Sequence, residues 1–210
     1  VTGYETEEQQ VEALKKWWAE NGKSIIGGVV LGLAILFGWK GWSEYRQAET
    51  ELASAMFNQI QMAADRGIAT RVSELTAELQ KDFAFTPYAG HASLMDAKFK
   101  AESGDLQGAL TQLEWARSQA REETVKDIAQ LRLARVQLAM GNPDQALKSV
   151  ESLNAVAYLS MVEEVRGDAY RAKGDIESAR QAYDRAILAS SGGAPRYLQM
   201  KRADLGKAGS

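Results

Sequence analysis

From the N-terminus onward, the hydrophobic rhythm of the chain changes twice. Residues 6 to 20 set Val11, Leu14, Trp17 and Trp18 at near-helical spacing in a charged segment, and Asn21 and Gly22 after them read as a helix stop. The next run, SIIGGVVLGLAILFGW from Ser24 to Trp39, carries no charge. With Gly41 and Trp42 beyond Lys40 it approaches the roughly 20 residues that a bilayer crossing takes. From Ser43 the pattern is amphipathic. Tyr45, Ala48, Leu52, Met56 and Ile60, then Val72, Leu75, Leu79 and Phe83, predict two helices broken at Gly67.

The uncharged run has the flanks of a membrane span. Trp17 and Trp18 precede it and Trp39, Trp42 and Tyr45 close it, placing amphipathic rings at both headgroup levels, and Lys40 can snorkel to the interface. A cleaved export signal is the rival reading. Glu5, Glu7, Glu8, Glu12 and Glu20 make a poor cationic leader, and no Ala-x-Ala-like site follows the run. A buried core helix is the other alternative, but the glycines of this stretch suit lipid better than water. Lys15, Lys16 and Lys23 before the span outweigh Lys40 and Arg46 behind it, which favours a cytoplasmic N-terminus and, in a Gram-negative cell, a periplasmic C-terminal portion. The expected organisation is a cytoplasmic segment with an interfacial helix over 1–23, a transmembrane helix over 24–42 in contact with membrane lipid, and a periplasmic domain over 43–210. Gly28 and Gly32 form a Gly-x-x-x-Gly pair through which two spans can pack closely, although small residues also populate such helices without packing.

Beyond the span the chain repeats itself. GDLQGAL at Gly104, GNPDQAL at Gly141 and GDIESAR at Gly174 recur at intervals of 37 and 33 residues. The third copy, EVRGDAYRAKGDIESARQAYDRAIL, puts Gly167 and Tyr170 on a first helix, Gly174 and Asp175 at the turn, and Ala179, Tyr183 and Ala186 on a second. That arrangement is close to the tetratricopeptide pattern, with Arg166 where leucine is usual and Pro195 late. Gly167 and Ala179 fall where paired helices cross and only small side chains allow close approach, while Tyr170 and Tyr183 are expected to fill the gaps between hairpins. Each turn glycine ends a helix in the left-handed conformation, and the Asp or Asn after it caps the next; Pro143 sits at a first helical position, where its missing N–H costs nothing. The second copy keeps Ala134, Ala146 and Leu153; the first keeps Ala97, Ala109, Leu113 and Ala116. Repeats are thus expected over about 90–123, 127–157 and 160–193, preceded by a degenerate hairpin and followed by a capping helix over 195–206. The fold class is all-α: an N-terminal single transmembrane helix followed by an α-solenoid of tetratricopeptide-like helical hairpins.

Charge and chemistry narrow the function further. A net charge of −3 provides no basic surplus for a nucleic-acid partner, and the absence of cysteine removes disulfides, thiolate ligands and thiol nucleophiles together. One histidine, His91, is the whole imidazole complement, and no Gly-rich phosphate loop occurs. Glu122/Glu123 and Glu163/Glu164 are consecutive on helices and point apart, so they read as solvated faces. No catalytic residue, cofactor or metal site is predicted, and the chain is expected not to be an enzyme. Counting back from each turn glycine gives a protein-binding groove on the first helices: His91, Leu94 and Lys98, then Leu131, Arg135 and Leu138, then Glu164, Asp168 and Arg171.

WWAENGKSI near the N-terminus, the Gly-rich span ending GWKGW, LRLARVQLAMGNPDQAL and a terminal LQMK together resemble the YfgM family, the ancillary subunit of the bacterial SecYEG translocon, over nearly the whole chain. The resemblance implies a single-pass inner-membrane protein whose periplasmic repeats contact the SecYEG translocon and the membrane-anchored chaperone PpiD, and which assists emerging secretory polypeptides. Two other readings stand beside it: a repeat adaptor in another cell-envelope assembly process, and a hydrolase built from dispersed carboxylates.

Overall fold

The computed structural model describes residues 7–153, 156–190, 193 and 195–206. The first six residues, Glu5 among them, and 207–210 lie outside the described residues. Nine α-helices make up the described chain: α1 Glu7–Asp65, α2 Ala69–Asp82, α3 Pro87–Glu102, α4 Leu106–Gln119, α5 Glu123–Ala139, α6 Pro143–Glu151, α7 Leu159–Ala172, α8 Ile176–Leu188 and α9 Arg196–Ala203. A single turn of 3₁₀ helix, Val156–Tyr158, precedes α7. The chain divides into two units, residues 1–49 and 50–210.

In the first unit α1 runs unbroken through Asn21 and Gly22, so the predicted stop is absent. The reason is local. The Asn21 side chain donates back to the Trp17 carbonyl at 3.0 Å instead of terminating the ladder, and the Trp18 indole covers Gly22, lying 3.2 Å from where a Cβ would stand. Further along, apolar side chains are exposed around the whole circumference, including Val30, Leu33, Leu36, Phe37 and Trp39. A helix apolar all round needs an apolar surrounding, and this one is long and apolar enough to cross a membrane. Arg46 lies over the Trp42 ring at 5.8 Å.

The second unit is a series of antiparallel hairpins. The end of α1 pairs with α2, α3 with α4, α5 with α6 and α7 with α8, and the first helices also touch one another, α3 on α5 and α5 on α7. One turn closes all four hairpins. Gly67, Gly104, Gly141 and Gly174 have φ of 69°, 86°, 79° and 78°, and the amide of the following residue donates to the carbonyl five positions earlier, as from Asp105 to Lys100 and from Asp175 to Tyr170. Asp105 and Asp175 then cap the second helices by accepting from the Gly108 and Ser178 amides. The Asn142 side chain makes no such bond, and Ile68 has none to offer.

Small residues line the crossings. Ala97 with Ala109, Ala134 with Ala146, and Gly167 with Ala179 are all buried. Apolar clusters bridge consecutive hairpins: one joins α3 and α4 to α5 through Leu94, Leu113, Val125 and Leu133, and another joins α5 and α6 to α7 through Leu131, Val150, Val162 and Val165. No hairpin buries its own apolar surface alone, which is the logic of a solenoid. Tyr183 departs from expectation: it packs within its own hairpin, against Gly167, and its hydroxyl donates to Asp168 at 2.6 Å.

Candidate protein-binding groove

Two stretches of the first-helix face differ in character. Over the end of α1, α3 and α5 lies an open groove of about 460 Å³. Its walls are Phe57, Met95, Phe99 and Ile128, and His91, Lys98, Arg132 and one carboxylate, Asp65, stand at its margins. Phe57 contacts Tyr88 and His91 ring to ring, at 5.6 and 6.3 Å between centroids. Beside it, sharing Lys98 and Arg132, is an apolar notch of about 200 Å³ formed by Ala97, Ala101, Leu113 and Val136, with Arg135 at its edge. Arg132 donates to the Leu94 carbonyl at 3.2 Å, and burial followed by the neighbouring Arg135 charge lowers its pKa. An apolar floor with cationic margins suits a segment carrying apolar and acidic side chains.

Over α7 the same face is closed. Helix α9 lies there, and Lys201 donates to Glu164 and Asp168, both at 2.7 Å. Tyr197 donates to Glu164 at 3.2 Å and Arg135 reaches the same carboxylate at 3.3 Å. Burial alone would lower the Lys201 pKa, but its bonds to Asp168 and Glu164 and their charges outweigh that and hold it raised. Burial, then the bond to Asp168, pushes the Tyr183 hydroxyl well above the usual phenol range.

This arrangement of hairpins matches a known family. The sequence fits the tetratricopeptide repeat-like domain family over residues 15–207. It is 32% identical over 186 residues to the ancillary SecYEG translocon subunit of Escherichia coli K12, covering 88% of each chain. Against the subunit of that name from Haemophilus influenzae it is 30% identical over 199 residues, 95% of this chain and 97% of that one. With the one from Aggregatibacter actinomycetemcomitans it shares 33% over 180 residues, 86% and 88% of the two chains. The chain belongs to the ancillary SecYEG translocon subunit family.

In this family member the residues counted back from the turn glycines scatter over three environments. His91, Lys98 and Arg135 are exposed at the margins of the groove and notch, Lys98 within 3.8 Å of Glu102. Leu94 and Leu131 are buried between consecutive first helices, at 6% and 4% exposure, and Leu138 packs half-buried against the second of those cores. Glu164 and Asp168 lie under α9, and Arg171 is exposed. All three counted positions on α3, His91, Leu94 and Lys98, line the groove; Met95 and Phe99, nine and five before the turn glycine, join them, with Ile128 and Arg132 thirteen and nine before it on α5. One residue of helix turns a side chain by about 100°, so a count of ten points between helices where a count of nine points outward. The i, i+4 run of ring and thioether side chains at His91, Met95 and Phe99 was the signal available for it.

The carboxylate pairs need a correction. Glu163 and Glu164 point apart as expected, but they are buried, not solvated, at 3% and 6% exposure. Glu163 is held by Arg166 at 2.6 Å and Arg185 at 2.8 Å. Buried carboxylates survive because each is matched by a cation and its hydrogen bonds. Glu123, by contrast, is exposed and pairs with Lys126. Gly28 and Gly32 are both exposed on α1, with open space where a Cβ would stand. Among the described residues no three His, Asp or Glu side chains gather to hold a metal.

Proposed function

We propose that this protein is a non-catalytic accessory subunit of the SecYEG protein-export translocon. The helix over 24–42 anchors it in the inner membrane with a cytoplasmic N-terminus, and the repeat domain over 43–210 works in the periplasm. There the open part of the first-helix face binds a PpiD-like chaperone and holds segments of emerging secretory polypeptides. The name carried by relatives that align along nearly the whole chain supports the translocon association. The observation that carries the adaptor role is the groove itself: an apolar floor of Phe57, Met95 and Phe99 left open beside Lys98 and Arg132 on the first-helix face. Its margins carry Lys98, Arg132, His91 and Asp65 but no serine, threonine or cysteine to act as a nucleophile, which suits capture and not turnover.

A photocrosslinking side chain placed at Lys98 in the full chain, in native membranes, tests this reading. The adducts are expected to contain SecYEG or a PpiD-like chaperone, and protease added to spheroplasts is expected to digest the repeat domain while sparing residues before the span. Adducts with neither, or a repeat domain protected from external protease, would overturn it. Crosslinks confined to division or outer-membrane assembly proteins would favour the adaptor reading in another envelope process.

A further inference from the structure

The seat of α9 differs from every other first-helix contact in the domain. Ten positions before the turn glycine stand Leu94, Leu131 and Glu164; six positions before stand Lys98, Arg135 and Asp168. The two leucines join α3 to α5 and α5 to α7 through apolar cores. At the third step the join is ionic: α7 presents two carboxylates and α9 answers with Lys201. Leu198, 1% exposed, is the only buried residue of α9, and Tyr197 and Met200 are exposed at 51% and 57%. Arg202 to Asp184 at 2.7 Å and Arg180 to the Gly206 carbonyl at 3.5 Å add further attachments.

We infer that α9 is an exchangeable occupant of an acidic docking site on α7, and that this site takes a cationic amphipathic helix of a partner protein. Recognition is an aromatic ring and a lysine or arginine four residues apart, as Tyr197 and Lys201 are in α9. The physical case is one of balance. Ion pairs made under cover roughly offset their own desolvation, so lifting α9 returns Glu164, Asp168 and Lys201 to water at little net loss. What holds the helix is one buried apolar side chain of its own, Leu198, seated on Ala179, Tyr183 and Ala186 of α8, with the partly buried Leu205 packed beside it. Eight residues are too few to be a stable helix alone, so a lifted α9 does not persist as a competing structure. Helix α9 stays covalently tethered to α8, which ends at Leu188, shortly before α9 begins at Arg196. A tethered segment competes at an effective concentration on the order of millimolar. A partner helix must therefore add contacts that α9 does not make; the apolar notch lined by Ala97, Leu113 and Val136 offers them to an uncharged, apolar end of that helix, because Lys98, Arg132 and Arg135 border the notch and would repel its cations. Arg135 belongs to both places, bordering the notch and reaching Glu164.

The proposal rests on reading the first-helix face as a protein-binding surface, but its test does not use the Lys98 groove. Hydrogen exchange on the full chain in detergent is expected to show the α9 amides opening at least 100-fold more readily than those of α5 and α7. A fluorescent peptide of residues 195–206 is expected to bind the Leu198→Asp chain, in which the resident helix is displaced, at least 10-fold more tightly than the unaltered chain. Adding Glu164→Gln and Asp168→Asn to Leu198→Asp is expected to abolish that gain. The proposal is overturned if α9 exchanges only with global unfolding, or if peptide binding is equal across the three chains. It is likewise overturned if Leu198→Asp and Lys201→Glu each melt the whole domain, or if the released helix instead pairs two copies of the chain, seen as a dimer by mass photometry. An unchanged Lys98 crosslink alongside a negative result would leave the translocon reading standing and remove this one alone.

Discussion

The ring of Tyr183 occupies the space over Gly167, where a Cβ would come within 2.5 Å of ring carbons Cδ1 and Cε1. The equivalent positions in the second and third hairpins pair alanine with a smaller partner, Ala97 with Leu113 and Ala134 with Val150, each in a shared core. Glycine in a helix interior costs about 1 kcal/mol relative to alanine, so its presence on α7 is a concession to the tyrosine. Gly167→Ala should gain that propensity and lose about 1–3 kcal/mol to overpacking, for a net destabilisation of about 1–2 kcal/mol. In a Tyr183→Leu background, which restores the alanine and leucine pairing of α3 and α4, the same substitution should be neutral or stabilising. Urea unfolding followed by circular dichroism, arranged as a double-mutant cycle, checks this; additivity of the two changes would refute the close-packing account.

The same pair shows how far the sequence could be read. Small residues at fixed distances from Gly104, Gly141 and Gly174 were enough to place the hairpins, because a crossing admits few side chains and leaves a mark in every copy. Gly67 precedes Gly104 by the same 37 residues and closes an identical turn, yet its hairpin reads as degenerate, since Ile68 stands where the others have Asp or Asn. Asn21 and Gly22 misled for the converse reason: the residues of a stop were present, but the Asn21 amide found the Trp17 carbonyl and the helix continued. The α9 seat was not legible at all. Lys201 meets Asp168 across 33 residues of chain and a bend at Pro195, and no local period records such a meeting.

Asp96 should make stability depend on pH. Its carboxylate is fully buried between α2 and α3, Ser73 donates to Oδ1 at 2.5 Å, and Oδ2 has Lys100 at 3.9 Å but no hydrogen bond. Burial raises its pKa, against the Ser73 bond and the Lys100 charge, with Asp105 adding to the rise. The native state therefore holds this proton more tightly than the unfolded chain does, and stability falls as pH rises from the ordinary value of 3.8 through the raised one. Asp96→Asn keeps an acceptor for Ser73 and removes the buried charge. It is expected to raise the urea midpoint at pH 7, with the gain shrinking as the pH is lowered and gone below about pH 4. A gain that persists unchanged in acid would show that the effect is not one of ionisation.

The three turns with Asp or Asn after the glycine should respond unequally to truncation of that side chain. Asp175 accepts from the Ser178 amide, and its hydrogen bonds to Ser178 lower its pKa, so its contribution is present above the unfolded value and lost as pH falls through the lowered one. Asp105 accepts from Gly108 in the same way, whereas the Asn142 side chain makes no cap bond and α6 relies on Pro143. Asp105→Ala and Asp175→Ala are expected to lower the thermal midpoint at pH 7 more than Asn142→Ala does. The difference between Asp175→Ala and the unaltered chain should narrow toward pH 3. Equal midpoints for all three would mean that the turn glycines alone fix the hairpins.

Charge reversal on the first-helix face separates its two stretches. Arg135→Glu with Asp168→Lys, a pair suggested by position along the chain, acts on the α9 seat: Arg135 reaches Glu164, and Asp168 accepts from both Lys201 and Tyr183. That double variant is expected to loosen α9 and shift the Tyr183 environment, readable as faster exchange of α9 amides, while the Lys98 crosslinks to translocon components persist. Lys98→Glu with Arg132→Glu acts on the open groove, where Lys98 is exposed and pairs with its helical neighbour Glu102. Reversing both margins should repel an acidic or apolar segment at its entry and cost at least 10-fold in partner capture, with the far-ultraviolet helix signal unchanged. The Arg132 bond to the Leu94 carbonyl is lost in that variant, so Arg132→Gln with Lys98→Gln serves as its control: neutralisation removes attraction without adding repulsion and should fall midway. Should the open-groove variants capture partners as well as the unaltered chain while the α9-seat variant does not, the roles of the two stretches are the reverse of those assigned, and the acidic seat on α7 is the primary docking site.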